Sequence, residues 1–442
     1  MKRRSGRVGI LSAVILLTSV SLLADSNKDW PQFRGESRDG ISPESGLLDS
    51  WPENGPAEIW RQPIGEGFSG ISIVAGRLYT MYAEKPPAAE TAEGSGGESS
   101  ESASSEEAPP PKTEYAAAYD AATGKQLWRT AIGTYLVTEF GNGPRSTPTV
   151  DGDTVYVLGA HGELAALDTA SGKRRWEISL GDEFGSERPY WGFSGSALIE
   201  NDLLLVEGGG PDGKSYAGLD KTTGKVLWTS GKANGAGYSS PLAISMHDQR
   251  QFVYVTGGAL RAIDAKGEEI WTHPWPPGET HAMPIFIPPD KIFASGTEGI
   301  GASLVRIVDG GESLQAEELW KSRVMRNHFS SSLVHAGHLY GFDNATLKSV
   351  ELDSGEQKWA KRGFGKGSLI YADGHLLVLS DRGVLALVEA TSESYVEKGR
   401  LQALEGLCWT APTLAGGRLY LRGQEEMVSY DLTGEGGRAD AR

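Results

Sequence analysis

The sequence contains a single cysteine, Cys408, in a chain of 442 residues. One cysteine excludes an intrachain disulfide, and it also excludes a covalent c-type haem, a cysteine zinc site and an iron–sulfur cluster. The N-terminal apolar segment has no cysteine near its end, which excludes a lipoprotein. The fold is therefore expected to be stabilised by packing alone.

Positive charge is also scarce, because 42 Lys and Arg residues are set against 58 Asp and Glu residues, for a formal net charge of −16. A surface this acidic repels phosphate backbones, so no nucleic-acid partner is expected. Glycine-rich phosphate loops, nucleophile elbows and helical metal motifs are missing from the sequence as well. These absences argue against the common classes of nucleotide-binding, hydrolytic and metal-dependent enzymes.

Long apolar runs are rare, and the longest extends from Val8 to Leu23 behind several basic residues. It is short for a membrane span and has the flanks typical of a secretory signal peptide, which we assign to residues 1–24. The mature chain is then exported to the bacterial periplasm and has no stable membrane span. Retention of the segment as an anchor is the alternative.

The sequence does contain a tryptophan that returns at a period of about 40 to 50 residues behind a short glycine turn. The spacing is Gly-x-x-x-Trp in Gly124–Trp128, Gly172–Trp176, Gly224–Trp228, Gly267–Trp271 and Gly355–Trp359. An aspartate precedes the glycine by four residues in the first three copies. With the degenerate copy and the N-terminal one, the predicted repeat anchors are Trp60, Trp128, Trp176, Trp228, Trp271, Trp320 and Trp359.

Each copy contains short β-branched and apolar runs separated by Asp-Gly or Ser-Gly turns, a pattern typical of antiparallel hairpins. Four such runs form one blade of a β-propeller, and the copies, degenerate ones included, number eight. The sequence therefore predicts an all-β fold, an eight-bladed propeller of four-stranded antiparallel blades over residues 57–434. Because the last copy stops where its outer strand should begin, the strand around Trp60 is expected to close the ring by pairing with the C-terminal segment.

The remaining segments are expected to lie outside the repeat. Residues 25–56 form an N-terminal extension that leads into the propeller, and residues 435–442 form a disordered tail. Residues 84–113 are rich in Glu, Ser, Ala, Gly and Pro, which predicts a disordered acidic insertion in the first blade. A monomer is expected.

The segment Asp29–Gly35 and the Asp-x-x-Thr-Gly-x-x-x-Trp copies resemble the pyrroloquinoline quinone (PQQ) repeat superfamily of β-propellers. This superfamily includes quinoprotein alcohol and glucose dehydrogenases and also non-catalytic scaffolds that resemble BamB. The alcohol dehydrogenases would require a vicinal cysteine pair, and a calcium held by Glu and Asn beside an aspartate base. The single cysteine, and the lack of an obvious carboxylate cluster, favour the BamB-like members.

The resemblance implies an exported binding or scaffold propeller of the bacterial cell envelope, with no catalysis, no cofactor and no metal site. Its partners would be envelope proteins or a small anionic or carbohydrate ligand. Two alternatives stay open. One is a PQQ-dependent oxidoreductase, similar to alcohol or sugar dehydrogenases, that uses PQQ with calcium; the other is a periplasmic protein that binds a carbohydrate or an anion.

A ligand is expected where the loops from each outer strand to the next inner strand surround the mouth of the central channel. Alignment of these loops gives a set of candidate ligand-binding residues rich in aromatic and cationic side chains: Phe68, Arg145, Phe193, Tyr238, His281, Phe329, Lys366 and Trp409. Aromatic residues at equivalent positions of a repeat also serve packing between blades, which is the competing interpretation. The two cations are less easily explained by packing, because burying a charge without a partner is costly.

Overall fold

The computed structural model describes residues 28–85, 113–233, 235–256 and 258–433. The predicted signal peptide, the C-terminal tail and residues 86–112 of the acidic insertion lie outside the described residues. In the described part, 32 strands form eight four-stranded antiparallel sheets, and the one helix is a single short turn. The predicted eight-bladed β-propeller is confirmed.

The strands are numbered in chain order, and each blade is given from its inner to its outer strand. Blade 1 contains β2 (Ser72–Val74), β3 (Arg77–Ala83), β4 (Glu114–Asp120) and β5 (Gln126–Gly133). Blade 2 contains β6 (Thr149–Asp151), β7 (Thr154–Leu158), β8 (Glu163–Asp168) and β9 (Arg174–Ser179), which leads into α1 (Leu180–Phe184). Blade 3 contains β10 (Leu198–Glu200), β11 (Leu203–Gly210), β12 (Lys214–Asp220) and β13 (Val226–Ser230). Blade 4 contains β14 (Leu242–Met246), β15 (Gln249–Thr256), β16 (Ala259–Ile263) and β17 (Glu269–Pro274).

The second half of the ring repeats this order. Blade 5 contains β18 (Ile285–Ile287), β19 (Lys291–Ser295), β20 (Ala302–Asp309) and β21 (Leu314–Ser322). Blade 6 contains β22 (Leu333–His335), β23 (His338–Asp343), β24 (Thr346–Glu351) and β25 (Gln357–Lys361). Blade 7 contains β26 (Ser368–Ala372), β27 (His375–Leu379), β28 (Val384–Glu389) and β29 (Glu397–Gln402). Blade 8 contains β30 (Thr413–Ala415), β31 (Arg418–Arg422), β32 (Glu426–Asp431) and, as its outer strand, β1 (Ala57–Pro63).

The ring is closed by the two ends of the chain, as predicted. Strand β1 pairs antiparallel with β32 from Ala57 opposite Asp431 to Pro63 opposite Glu426. An exposed ion pair at 2.8 Å between Arg61 and Glu426 crosses this junction. The closure removes the two free sheet edges that an open array of blades would leave.

The repeated tryptophan and the repeated glycine meet between neighbouring blades. A Cβ atom added at Gly124 would lie 2.7 Å from the ring of Trp60, and one added at Gly224 would lie 2.7 Å from the ring of Trp176. Both glycines also have a positive φ, of +70° and +74°. Glycine is therefore required twice over, for the left-handed turn and for the space that the tryptophan of the preceding blade occupies.

The tryptophan indoles also bond to the neighbouring blade. Six of them donate Nε1–H to a backbone carbonyl oxygen there at 2.8–3.0 Å, namely Trp60, Trp128, Trp176, Trp228, Trp320 and Trp359. Trp271 precedes blade 5, whose last hairpin lacks the Gly-x-x-x-Trp turn, and it donates instead to Gln251 of its own blade at 2.7 Å. The sequence repeat thus encodes the contact between blades.

Blade 7 has no tryptophan on its outer strand, and the N-terminal segment supplies one. Gly399 of β29 stands at the position that tryptophan occupies in the other blades, directly after the bulge between β28 and β29. Trp51 packs on it, since a Cβ atom added at Gly399 would lie 2.5 Å from the Cβ of Trp51. The Trp51 side chain is buried, and its backbone N–H donates to Lys398. The N-terminal extension therefore completes the blade packing.

The same extension closes one end of the central channel. Trp30 pairs with Ile73 of blade 1, and Ile41 pairs with Tyr371 of blade 7. Between them, the buried guanidinium of Arg34 donates to the carbonyl oxygens of Ser331 and Ser332. The guanidinium of Arg38, also buried, donates to three carbonyl oxygens at the inner strands of blades 3 and 4, those of Ser196, Ala197 and Pro241. Residues 30–41, here called the floor segment, thus span the ring at its base.

Candidate functional site

A funnel-shaped cavity of about 430 Å³ lies at the centre of the ring. Its base is the floor segment, where Trp30, Phe33 and Arg34 line the cavity. Its mouth is formed by the loops that join each outer strand to the next inner strand, as predicted for a propeller. All eight of these loops contribute lining residues, so the funnel opens on one face and is closed at the other.

Seven of the eight predicted residues line this funnel: Phe68, Arg145, Tyr238, His281, Phe329, Lys366 and Trp409. Phe193 does not. Its ring lies against Gly162 and packs in the core between blades 2 and 3, where it is 2% exposed. The loop before it contains α1 and a left-handed Gly192, so that Trp191 takes the place at the mouth.

The aromatic rings form a continuous arc around the mouth. Trp409 stacks on Phe68 at 5.2 Å between ring centroids and contacts Phe329 at 4.7 Å. His281 stacks between Tyr238 at 4.8 Å and His328 at 5.5 Å, with interplanar angles of 16° and 10°. These rings come from five different loops, so the arc serves packing between blades and also presents an apolar wall to the cavity.

Arg145 is fixed at the mouth by its own loop. Its guanidinium donates to the carbonyl oxygens of Gly143 at 2.7 Å and Gly141 at 2.9 Å, and to Oγ1 of Thr138 at 3.1 Å. Its Cζ lies 5.5 Å from the centroid of the Phe68 ring. In the described part of the chain it has no carboxylate within ion-pair distance, and the nearby carboxyl of Glu114 has a pKa raised by burial to about 8. Burial also lowers the pKa of Arg145 to about 10, and the opposing effect of Glu114 is smaller than that of burial.

Lys366 is the second cation of the funnel. Its backbone N–H donates to the carboxylate of Asp381, whereas its ammonium group has neither a hydrogen bond nor an ion pair to any described residue. The ammonium is close enough to affect both histidines of the arc. Burial lowers the pKa of His281 to about 3, and the charges of His328, Lys366 and Arg145 act in the same direction. The pKa of His328 is also lowered, mainly by burial and then by the charge of Lys366. Both imidazoles are therefore neutral at pH 7, and the positive charge of the mouth lies on Arg145 and Lys366.

Several polar atoms of the funnel wall lack a partner among the described residues. These are Nε1 of Trp409 and Nδ1 of both His281 and His328, all buried from solvent. The indole N–H can only donate, and each neutral imidazole has one donor and one acceptor. Each of the three atoms has almost no accessible surface, so they are enclosed by the packed rings and are not open donors or acceptors on the cavity wall.

The lining residues do not fit a metal-held quinone. Glu279 is the one carboxylate among the described residues that line the funnel, and no asparagine accompanies it. The described residues also contain no group of three or more His, Cys, Asp or Glu side chains that could hold a metal ion. Calcium requires six to eight oxygen ligands, several of them carboxylates, and the nearby Arg145 and Lys366 would repel it. Cys408 is fully buried and cannot pair with a second cysteine.

Comparisons with known proteins agree with this architecture. A model of the family described as "outer membrane protein assembly factor BamB" matches residues 112–361, more than half of the chain. The chain belongs to this family of PQQ-repeat β-propellers. A search of curated proteins found no match.

Three solved structures resemble most of the chain in fold. BamB from Moraxella catarrhalis is 15% identical, with a TM-score of 0.56 over 85% of this chain and 97% of BamB. A quinohemoprotein alcohol dehydrogenase from Comamonas testosteroni is 11% identical, with a TM-score of 0.64 over 93% of this chain and 82% of the dehydrogenase. The computationally designed protein Ika8 is 10% identical, with a TM-score of 0.55 over 83% of this chain and 98% of Ika8. At these identities the likeness shows the fold alone.

The sequence alone does not place the floor residues in the site. Trp30, Phe33 and Arg34 belong to the Asp29–Gly35 motif that carried the family resemblance, so the signal was present in the sequence. Its position in the ring was not deducible, because the segment is not a copy of the repeat. In the part of the chain that the structure describes, no helix has the length and apolar character needed to cross a membrane.

Proposed function

We propose that this propeller is a non-catalytic binding module that is exported to the bacterial cell envelope and acts there as a scaffold. The observation that carries the proposal is the funnel, which is closed at its base and lined at its mouth by aromatic and cationic side chains from eight loops. Among the described lining residues, a single carboxylate accompanies two neutral histidines, and this set does not resemble the calcium and base of a quinoprotein. Such a wall can bind a ligand, but it does not place a general base beside a metal-held quinone.

The family supports a scaffold role, because its model is named for an assembly factor of outer membrane proteins. The surface available to a partner protein is an aromatic rim beside the funnel mouth, composed of Phe140, Tyr190 and Trp191. Trp191 contacts Phe140 at 5.3 Å and Tyr190 at 4.5 Å, and the last two side chains are 54% and 65% exposed. Exposed aromatic clusters of this kind are enriched at protein interfaces. The partner would be another envelope protein.

Binding of a small anionic or carbohydrate ligand is the second candidate function. Arg145 and Lys366 favour it, because both are cations without a carboxylate partner among the described residues of an acidic protein. Phe140 and Trp191 of the rim also line the funnel, so a protein on the rim and a ligand in the funnel would contact the same two side chains.

The proposal against catalysis is tested by adding PQQ and calcium to the purified mature chain. We expect an unchanged melting temperature and no dye reduction with alcohols or sugars. A ligand present at a hundredfold excess over its dissociation constant would instead add about 2.7 kcal/mol of stability. Turnover of either substrate class would overturn the assignment.

Export is tested separately by fusing residues 1–24 to a reporter enzyme that is active only outside the cytoplasm. The matched control lacks residues 8–23. We expect activity from the first fusion alone. Equal activities of the two fusions would contradict export by this segment.

A further inference from the structure

We infer that Glu114 and Glu163 share one proton, that this proton holds blades 1 and 2 together, and that its loss at alkaline pH loosens the aromatic rim. The inference rests on the proposed binding function and names a regulation of the rim by pH. It follows from the position of the two carboxyl groups, here called the carboxyl pair, from the glycines that make room for them and from their contacts with a mouth loop.

The carboxyl pair lies where blades 1 and 2 meet. Glu114 is the first residue of β4, and Glu163 is the first residue of β8. A Cβ atom added at Gly159 would lie 2.8 Å from Oε2 of Glu114 and 2.6 Å from Oε2 of Glu163. One added at Gly133 would lie 2.9 Å and 3.0 Å from the same two oxygens. The two oxygens are therefore less than about 6 Å apart, a separation at which one negative charge raises the pKa of the other group.

The two glycines make room for the carboxyl pair. Neither Gly133 nor Gly159 has a positive φ, so a residue with a side chain could adopt the same backbone conformation. Such a side chain would instead collide with the carboxyl oxygens of both blades. Glycine is required here for space, and the space is filled by two acidic groups.

Glu114 keeps a proton at neutral pH. Its side chain is fully buried, and Oε2 accepts the N–H of Ala160 at 2.9 Å, whereas Oε1 has no hydrogen-bond partner among the described residues. Burial raises the pKa of Glu114 to about 8, and the charge of Glu163 acts in the same direction, against the Ala160 N–H and Arg145. A proton held between the two carboxyl groups removes one of two like charges and gives the buried oxygen a partner.

The charged groups around the pair do not titrate in the same range. Arg145, on the loop between β5 and β6, has a pKa lowered by burial to about 10 and stays a cation at pH 7 to 9. His161, in the turn between β7 and β8, is neutral at these pH values, because burial and then the charge of Arg188 lower its pKa. Of these groups, the carboxyl pair is therefore the one that changes charge.

The pair is connected to the rim through Ala160. The N–H of Ala160 donates to Glu114, and its carbonyl oxygen accepts the N–H of Phe193 at 2.9 Å. Trp191 of the rim lies two residues before Phe193 in the same loop. Repulsion between two ionised carboxyl groups would separate the blades at Ala160 and release this loop.

The first measurement is hydrogen exchange of the Ala160 and Phe193 amides of the full mature chain from pH 6 to pH 9, corrected for the intrinsic exchange rate. If opening releases one proton, the opening equilibrium should rise about tenfold per pH unit up to about pH 8. Glu114→Gln should abolish this dependence, and Glu163→Gln should end it at a lower pH, because the charge that raises the pKa of Glu114 is gone. The Asn327 amide, which donates to Ser295 in the corresponding loop between blades 5 and 6, should show none of these changes.

The second measurement is thermal melting at pH 9, where both carboxyl groups are ionised. Glu163→Gln should raise the melting temperature of the original chain and have no effect in a Glu114→Gln background, because a single ionised group has no like charge to repel. Glu312→Gln, at an exposed turn between β20 and β21, is the matched control and should change neither.

Four outcomes would each overturn the inference. These are pH-independent exchange at either amide, an unchanged exchange profile in Glu163→Gln, equal effects of Glu163→Gln on melting in both backgrounds, and a higher melting temperature at pH 9 with calcium or magnesium. The last would show that a cation, and not a proton, joins the carboxyl groups. Both measurements use the isolated protein, so they report on the carboxyl pair independently of the dye-reduction assay that tests the proposed function.

Discussion

The contact between repeated glycine and repeated tryptophan makes a quantitative prediction for Gly224→Ala. The new Cβ would lie 2.7 Å from the Trp176 ring, at a φ of +74°. The left-handed conformation costs a residue with a Cβ about 1–2 kcal/mol. Displacing a packed ring adds about 1–3 kcal/mol. We therefore expect a loss of about 2–5 kcal/mol in the free energy of unfolding.

Gly76→Ala is the matched control, because Gly76 has the same φ of +74° and nothing within 4 Å of its added Cβ. In Gly76→Ala the free energy of unfolding should fall only by the cost of the left-handed conformation, about 1–2 kcal/mol. Thermal melting followed by far-ultraviolet circular dichroism compares the two variants with the unchanged chain. The lower melting temperature should belong to Gly224→Ala.

A double variant separates steric conflict from general weakening. Leucine at position 176 leaves room for the new Cβ, so Gly224→Ala should cost less in a Trp176→Leu background than in the original chain. Residues in contact commonly show coupling energies of about 0.5–3 kcal/mol. Equal melting temperatures for the two glycine variants, or strictly additive effects in the double variant, would refute this account of the repeat.

Three further predictions concern other parts of the ring. Burial raises the pKa of Glu207 from its ordinary 4.5 to about 8. Between pH 4.5 and pH 8 the folded chain therefore keeps a proton that the unfolded chain releases, so the free energy of unfolding falls as the pH rises through this range. Glu207→Gln should therefore gain on the order of 3–5 kcal/mol at pH 8 and little at pH 5, as measured by urea unfolding; a pH-independent gain would contradict this. Burial raises the pKa of Cys408 to about 12, so a thiol reagent at pH 8 should react only after denaturation, and labelling of the native protein would disprove its burial. The N–H of Glu84 donates to the carbonyl oxygen of Thr113 at 2.8 Å, so the two ends of the acidic insertion lie close together. A short Gly-Ser turn in place of residues 86–112 should therefore change the free energy of unfolding by less than about 1 kcal/mol. A larger loss, measured by thermal melting, would show that the insertion packs on the ring.

The repeat explains why the architecture could be predicted from sequence. Each Gly-x-x-x-Trp copy specifies a local hairpin and the contact with the next blade, so the five copies, together with three degenerate ones, specify a ring of eight blades. Loop residues at equivalent positions also occupy equivalent places in space, which is why Arg145, Lys366 and Trp409 were assigned to the mouth. Phe193 departs from this pattern because α1 lengthens its loop and turns the ring inward.

The parts that could not be predicted are those that do not repeat. Arg34 and Arg38 bond to carbonyl groups 158 to 298 positions away in sequence, and no local pattern encodes such partners. Trp51 fills a gap in blade 7 that appears in the sequence only as a missing tryptophan. Such contacts depend on the closed ring, and so the floor of the funnel becomes visible only in three dimensions.

The pairing of β1 with β32 also has a consequence for the order in which the chain matures. Arg61 and Glu426, which meet across that junction, are 365 positions apart. At ordinary rates of protein synthesis, about 5–20 residues per second, the first strand waits roughly 20–70 s for its partner to be made. During this interval the nascent chain exposes two sheet edges that can pair with other molecules. Completion of the circle therefore requires both ends of the chain, and a chain that lacks either end keeps two open sheet edges.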